Sequence, residues 1–251
     1  MKIIFVAFML TCLSGFTQAS AEGFEELAKR KAAEGYMFPA APKYVPYSYT
    51  VTFLNEGMNG DENMAFAAKY RVKPNAVAGE RITYLGENEA GLPEDIQAEI
   101  EQVNHEKTME EFAEEFWCSD VDEPEALDLS DGVVLSEDAE TAVISLSNAK
   151  VVELMDDGDM PKKIRKRLVG ETTFSKSDFY PMNTRIWLSK PTTVKVVAKM
   201  KEMAFETSCA KAPNGHFYNA STKVRIRLKV MGKAIVQDTR ITISDLSLTA
   251  E

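Results

Sequence analysis

Three cysteines, two histidines and 39 carboxylates are the side chains of this 251-residue chain with chemistry of their own. Cys12 falls in an apolar leader, which leaves Cys118 and Cys209, 91 positions apart. In an oxidising compartment such a pair forms either one disulfide, contributing roughly 4 kcal/mol if unstrained, or two buried free thiols; the spacing alone does not choose. His105-Glu106 is not followed by x-x-His, so the zinc-protease pattern fails, and neither His105 nor His216 has a motif that would make it a metal ligand or a triad base. The run from Asp120 and Asp122 through Glu125, Asp128 and Asp131 has the carboxylates that calcium wants. Pro124 blocks the ligand register, and a solvated loop is expected there. Asp156-Asp157-Gly158-Asp159 is expected to be a turn and helix cap, and the sequon Asn219-Ala220-Ser221 matters only in a eukaryotic secretory pathway. There is no G-x-S-x-G, P-loop, G-x-G-x-x-G or C-x-x-C motif. The expectation is therefore a non-enzymatic protein without metal or cofactor. A hydrolase using two carboxylates is an alternative, but with 32 acids in residues 22–160 some pair always exists.

Residues 1–21 explain the compartment. Lys2 precedes an apolar run from Ile3 to Leu13, and Ala19-Ser20-Ala21 has the small-x-small pattern of a signal-peptidase site. The run is well short of the roughly 20 residues that cross a bilayer. A signal peptide cut after Ala21, or after Ala19, is expected; Met9-Leu10-Thr11 is a poor approach to a lipidated Cys12. The mature chain, 22–251, is expected to be one domain without a transmembrane segment, exported to the periplasm of a Gram-negative bacterium or secreted.

Charge divides that chain. Residues 22–160 hold 32 acids and 10 bases, whereas 161–251 hold 7 acids and 18 bases, and the total is −10. This balance argues against a nucleic-acid partner. The halves either pack together or present solvated faces, or the basic half meets anionic lipid headgroups or a polyanionic envelope polymer. In the second case Lys162, Lys163, Arg165 and Lys166 are the candidate headgroup contacts, with Arg167 beside them in the same basic run and Lys223, Arg225, Arg227 and Lys229 as a second stripe.

Period-two alternation dominates. Tyr47, Tyr49, Val51 and Phe53 face away from Ser48, Thr50 and Thr52, and Met64 to Val72 repeats the pattern across an Asn59-Gly60-Asp61-Glu62 turn, predicting a hairpin over 46–72. Further strands are predicted at 81–85, 133–135, 141–147, 168–175, 184–189, 193–208, 222–231 and 233–244. In 193–208 the apolar phase changes from even positions to odd ones, which predicts a bulge near Lys201-Glu202. Helices are predicted near 23–34, at 93–117 in two pieces, and at 159–167. Phe24, Leu27 and Ala28 form the apolar side of the first, and Thr108 to Glu111 is a capping box burying Phe112 and Phe116. The class is α+β, mainly β: a curved antiparallel sheet, half-barrel-like, with a few helices packed on or over it.

Tyr70-Arg-Val-Lys-Pro74, Gly79-Glu-Arg81-Ile-Thr-Tyr84 and Gly91-Leu-Pro93 before a helix are similar to a group of exported bacterial proteins of uncharacterised function. Their build resembles the lipoprotein-carrier (LolA/LolB-like) half-barrel, with residue-level likeness limited to about 70–93. The resemblance implies a sheet curled around a hydrophobic cavity under a helical lid. On that basis the expected function is binding or carrying a lipid or other hydrophobic ligand on the concave face. Tyr49, Val51, Phe53, Phe66, Tyr70, Ile82 and Tyr84 are the candidate lining, and ten methionines in the mature chain suit acyl chains of variable shape. The alternative from another class is an envelope adaptor that binds a partner protein through its two charged halves.

Overall fold

The computed structural model describes residues 23–248, apart from 47, 87–91, 120–124, 127–131, 156–159 and 196–197. The expected signal peptide, most of the acidic run at 120–131 and the Asp156–Asp159 turn lie outside the described residues.

In chain order the elements are α1 (Phe24–Ala33), β1 (Met37–Phe38), β2 (Ser48–Asn59), β3 (Glu62–Asn63), β4 (Phe66–Val72) and β5 (Ile82–Tyr84), followed by α2 (Glu94–Glu106) and α3 (Met109–Phe116). Next come β6 (Glu125–Ala126), β7 (Val133–Glu137), β8 (Thr141–Leu146), α4 (Asn148–Met155) and α5 (Lys162–Arg165). The last run is β9 (Leu168–Ser175), β10 (Tyr180–Leu188), β11 (Thr192–Lys195), β12 (Ala198–Lys211), β13 (Phe217–Val230) and β14 (Lys233–Ser247). All but β1 and β6 join one large, curved, unclosed antiparallel sheet in the order β5-β4-β2-β14-β13-β12-β10-β9-β8-β7, with β3 on β2 and β11 on β12. The α+β, mainly-β expectation holds.

Local sequence explains most of these elements. The predicted hairpin is β2 with β4, Tyr49 opposite Val72 and Phe53 opposite Ala68; Met64, however, sits exposed in the connection rather than in the strand. Met231 and Gly232, both at positive φ, make the two-residue turn between β13 and β14, the conformation that a type I′ hairpin requires. The Thr108 hydroxyl and the Glu111 carboxylate cap α3 reciprocally, and Phe112 and Phe116 are buried as the box predicts. Register between β12 and β13 skips Lys201, with Met200 opposite Leu228 and Glu202 opposite Arg227, so the phase change does mark a bulge. The 193–208 run is nonetheless two strands: Thr192 pairs with Met200 and Thr193 with Lys199, so β11 doubles back on β12 as an edge piece. Helix α4 has no counterpart in the predicted elements. Its signals are Ser147, whose hydroxyl accepts the Lys150 N–H at 3.2 Å, and the spacing of Val151, Leu154 and Met155. Gly170 on β9 lets α4 lie close, because a Cβ there would meet Val151 at 2.8 Å.

Pairing partners share a face, and from end to end of the sheet one face is apolar. Ile82, Tyr70, Val51, Ile243, Val224, Phe205, Ile186 and Ile144 all belong to it. The opposite face carries Arg71, Arg240, Arg225, Arg227, Glu202, Glu206 and Arg185 on the paired strands. Four packed clusters cover parts of the apolar face. Phe112, Phe116 and Trp117 pack on Tyr49 and Val72; Leu92 on Ala68 and Tyr70; Phe24 and Phe38 on Phe174, Phe179 and Tyr180; Val151 and Ile164 on Leu168 and Ile186. Between them the face is half open. Val224, Ile226, Leu228 and Ile235 are only half-buried, and Gln237, on the same face, is exposed.

Helix α1 is held by one carboxylate. Glu137 accepts the Phe24 N–H at 2.8 Å and pairs with Lys176 at 2.9 Å. The Lys176 ammonium, and then the Phe24 N–H, hold the Glu137 pKa below its ordinary 4.5. The folded value is the depressed one, so this contribution is complete at neutral pH and is lost as pH falls through the folded pKa. The amide resonance of Phe24 is expected to titrate with a midpoint below 4.5 and to stop titrating in Glu137→Gln; a midpoint at or above 4.5 would contradict the assignment.

Candidate functional site

The hollow in the apolar face lies on β9, β10 and β12. Its floor is Thr172, Phe174, Tyr180, Thr184, Ile186, Phe205, Thr207 and Cys209, and it encloses about 360 Å³. That volume falls at the lower end of the usual range for ligand pockets, roughly 300–1,000 Å³. Leu146 and the α4 residues Lys150 and Leu154 wall one side. Phe38 from β1 and the segment Trp117-Cys118-Ser119, just past α3, wall the other.

Several contacts fix that second wall. Cys118 and Cys209 are joined in a disulfide with Cα atoms 6.3 Å apart, so the pair is bonded rather than two free thiols. The Cys118 N–H donates to the Phe217 carbonyl at 3.0 Å, and Trp117 makes an isolated bridge to Tyr218. Ser119 and Tyr180 share a hydrogen bond of 2.7 Å.

A polar seam crosses the greasy floor. Thr172 is opposite Thr184, Thr184 opposite Thr207 and Thr207 opposite Thr222, so four hydroxyls lie in one row across four neighbouring strands. Thr172 and Thr184 hydrogen-bond to each other at 3.1 Å, and Thr222 donates to Asn219 at 3.2 Å. Trp117 is 4% exposed, and its buried Nε1–H has no hydrogen-bond partner among the described residues. A buried donor left unpaired costs about 1–3 kcal/mol.

The seven residues that alternation selects as lining all lie on β2, β4 and β5, on the apolar face but at its far end. Tyr49 is packed beneath Phe116 with ring centres 4.8 Å apart, and Tyr70 lies in the Leu92 cluster with Tyr84 against it. Phe53 stacks on Phe66 at 5.4 Å, and Ile82 belongs to the same cluster. Val51 packs against the Phe116 cluster. None of the seven lines the 360 Å³ hollow.

The basic candidates also separate. Lys163, Lys166 and Arg167 of the basic run line a second depression, together with Lys190 and Lys199, which the sequence pattern did not single out. Lys162 is exposed outside it, and the Arg165 Nε is bonded to the Met160 carbonyl at 2.8 Å. Three of the four cations of the second stripe, all but Lys229, are neutralised by carboxylates. Lys223 pairs with Glu206 at 3.2 Å, Arg225 with Asp238 at 2.8 Å and Arg227 with Glu202 at 3.2 Å, all on the polar face. Burial alone would raise the Glu206 pKa, but the Lys223 ammonium and the Asn183 amide outweigh it and hold it low. His105 is tied to Glu101 at 2.9 Å while His216 lies edge-on to Trp117, and the described residues contain no group of three metal-ligating side chains.

The chain matches no protein-family model, no curated protein and no solved structure.

Proposed function

We propose that this is an exported, non-catalytic protein that binds a lipid or other hydrophobic ligand carrying a hydrogen-bond acceptor. The ligand's apolar part would lie on the concave face over β9, β10 and β12. The hollow of about 360 Å³ carries this reading: it is a half-open concavity of ligand-pocket size with a mainly apolar lining. The half-buried Val224, Ile226 and Leu228 beside it extend the apolar surface. The threonine seam favours an ester, carboxyl or hydroxyl group over a bare hydrocarbon. The disulfide accords with an oxidising compartment, as the expected signal peptide does.

The test is to fill the hollow. Thr207→Phe adds a ring to a half-buried position on its floor. The protein is expected to bind a fluorescent naphthalene sulfonate that palmitate displaces, and native mass spectra of detergent-free protein should show co-purified lipid. Thr207→Phe should weaken palmitate binding at least about tenfold, equivalent to 1.4 kcal/mol, with the melting temperature unchanged or raised. Equal palmitate affinity in both proteins, or a wild-type protein that binds neither probe and flies as the bare chain, would overturn the proposal.

A further inference from the structure

A chain with a net charge of −10 gathers five cations around one depression, with no acid among the described residues that line it. Lys163, Lys166 and Arg167 come from α5 and the turn after it, Lys190 from the turn before β11, and Lys199 from the start of β12; together they surround a basin of about 590 Å³. Three chain segments separated in sequence thus deliver one sign of charge to one place. None of the five makes an ion pair with a described residue, whereas Lys223, Arg225 and Arg227 on the polar face each have a carboxylate partner.

The backbone under these cations is fixed. The Arg167 carbonyl accepts both the N–H and the hydroxyl of Ser189, each at 2.8 Å, which ties the α5 turn to the turn bearing Lys190. Thr192 is 4% exposed, and the neighbouring Ile164 and Leu168 are in the core. Like charges held together on a rigid frame repel, and an anion placed among them removes that repulsion. An arginine fork beside several point-charge ammoniums suits a phosphate, which carries more charge and more acceptor oxygens than a carboxylate.

We propose that this basin is a binding site for phosphate groups, separate from the concave face and independent of whether that face holds a lipid. A phosphate could be presented by an anionic lipid headgroup or by a soluble phosphorylated molecule, and the two sources are distinguished by experiment. In one arm the protein is sedimented with vesicles of phosphatidylcholine containing phosphatidylglycerol, and with phosphatidylcholine alone. In the other, inorganic pyrophosphate is titrated calorimetrically. Binding is expected in at least one arm, not to phosphatidylcholine alone, and should weaken as salt rises.

Lys166→Glu combined with Lys190→Glu, both exposed, should reduce that binding at least about 25-fold, from roughly fivefold for each cation at an anionic surface. Lys69→Glu combined with Lys233→Glu makes the same change in net charge at exposed positions outside the basin and should leave binding within about twofold, far less than one basin cation contributes. Loss in the vesicle arm alone assigns a headgroup, and loss in the pyrophosphate arm assigns a soluble phosphate. Binding in neither arm, equal binding to phosphatidylcholine, or equal losses in the two double variants would overturn the proposal.

Discussion

The double substitution Cys118→Ser with Cys209→Ser is expected to destabilise the fold by about 4–5 kcal/mol and to lower Tm by about 10–15 °C. The bond closes a separation of 91 residues, and in the chain-entropy account most of its effect is exerted on the denatured ensemble, which without it samples far more conformations. Denaturant unfolding should therefore show a larger m-value as well as a lower midpoint, since the released chain exposes more surface. The native wall of the hollow should persist. Cys118 remains bonded through its N–H to Phe217, and Trp117 remains bridged to Tyr218. Two thiols titrating in the unreduced wild-type protein, or a Tm within about 2 °C of the wild type, would refute this.

The disulfide also illustrates what was legible before folding. An even pair of cysteines left two outcomes open, and only three-dimensional proximity selected one. Alternation was a reliable guide to faces: Tyr49, Val51, Phe53 and Tyr70 do share one face, and the phase change in β12 does mark the bulge at Lys201. It carried no information about which stretch of that face the helices would cover. Phe112 and Phe116 close over Tyr49, and Leu92 closes over Tyr70, so the aromatic end of the sheet is packed. The hollow lies over the half-buried Thr184 and Thr207, with Thr172 buried beside them, residues whose polarity made them poor candidates for a ligand surface.

Pairing across long separations was equally hidden. Strand β14 inserts between β2 and β13, joining Phe53 to Ile241, and nothing in either strand's pattern specifies that partner. The basic basin was half visible for the same reason. Lys163 and Lys166 stand in a run, but Lys190 and Lys199 join them only because β11 folds back on β12.

If the apolar face is packed at its ends and hollow between, the cost of removing a ring should map that difference. Phe116 is 1% exposed, with the Trp117, Tyr49 and Tyr218 rings at 4.7, 4.8 and 5.5 Å, and it joins α3 to both β2 and β13. Phe116→Ala is expected to cost about 3–5 kcal/mol, because the surrounding rings cannot collapse into the space. Phe205 lies on the same face but is half-buried beside the hollow. Its ring faces empty volume, so few dispersion contacts are lost, and Phe205→Ala should cost less than about 2 kcal/mol in protein stripped of lipid. Added palmitate should widen the stability gap between Phe205→Ala and the wild type, since only the wild type has a complete floor to bind it, and should leave the Phe116→Ala deficit nearly unchanged. Chemical denaturation of the three proteins, with and without palmitate, measures all of these quantities. Equal costs at the two positions in lipid-free protein would mean that the face is closed throughout, and the carrier reading would fall with the hollow.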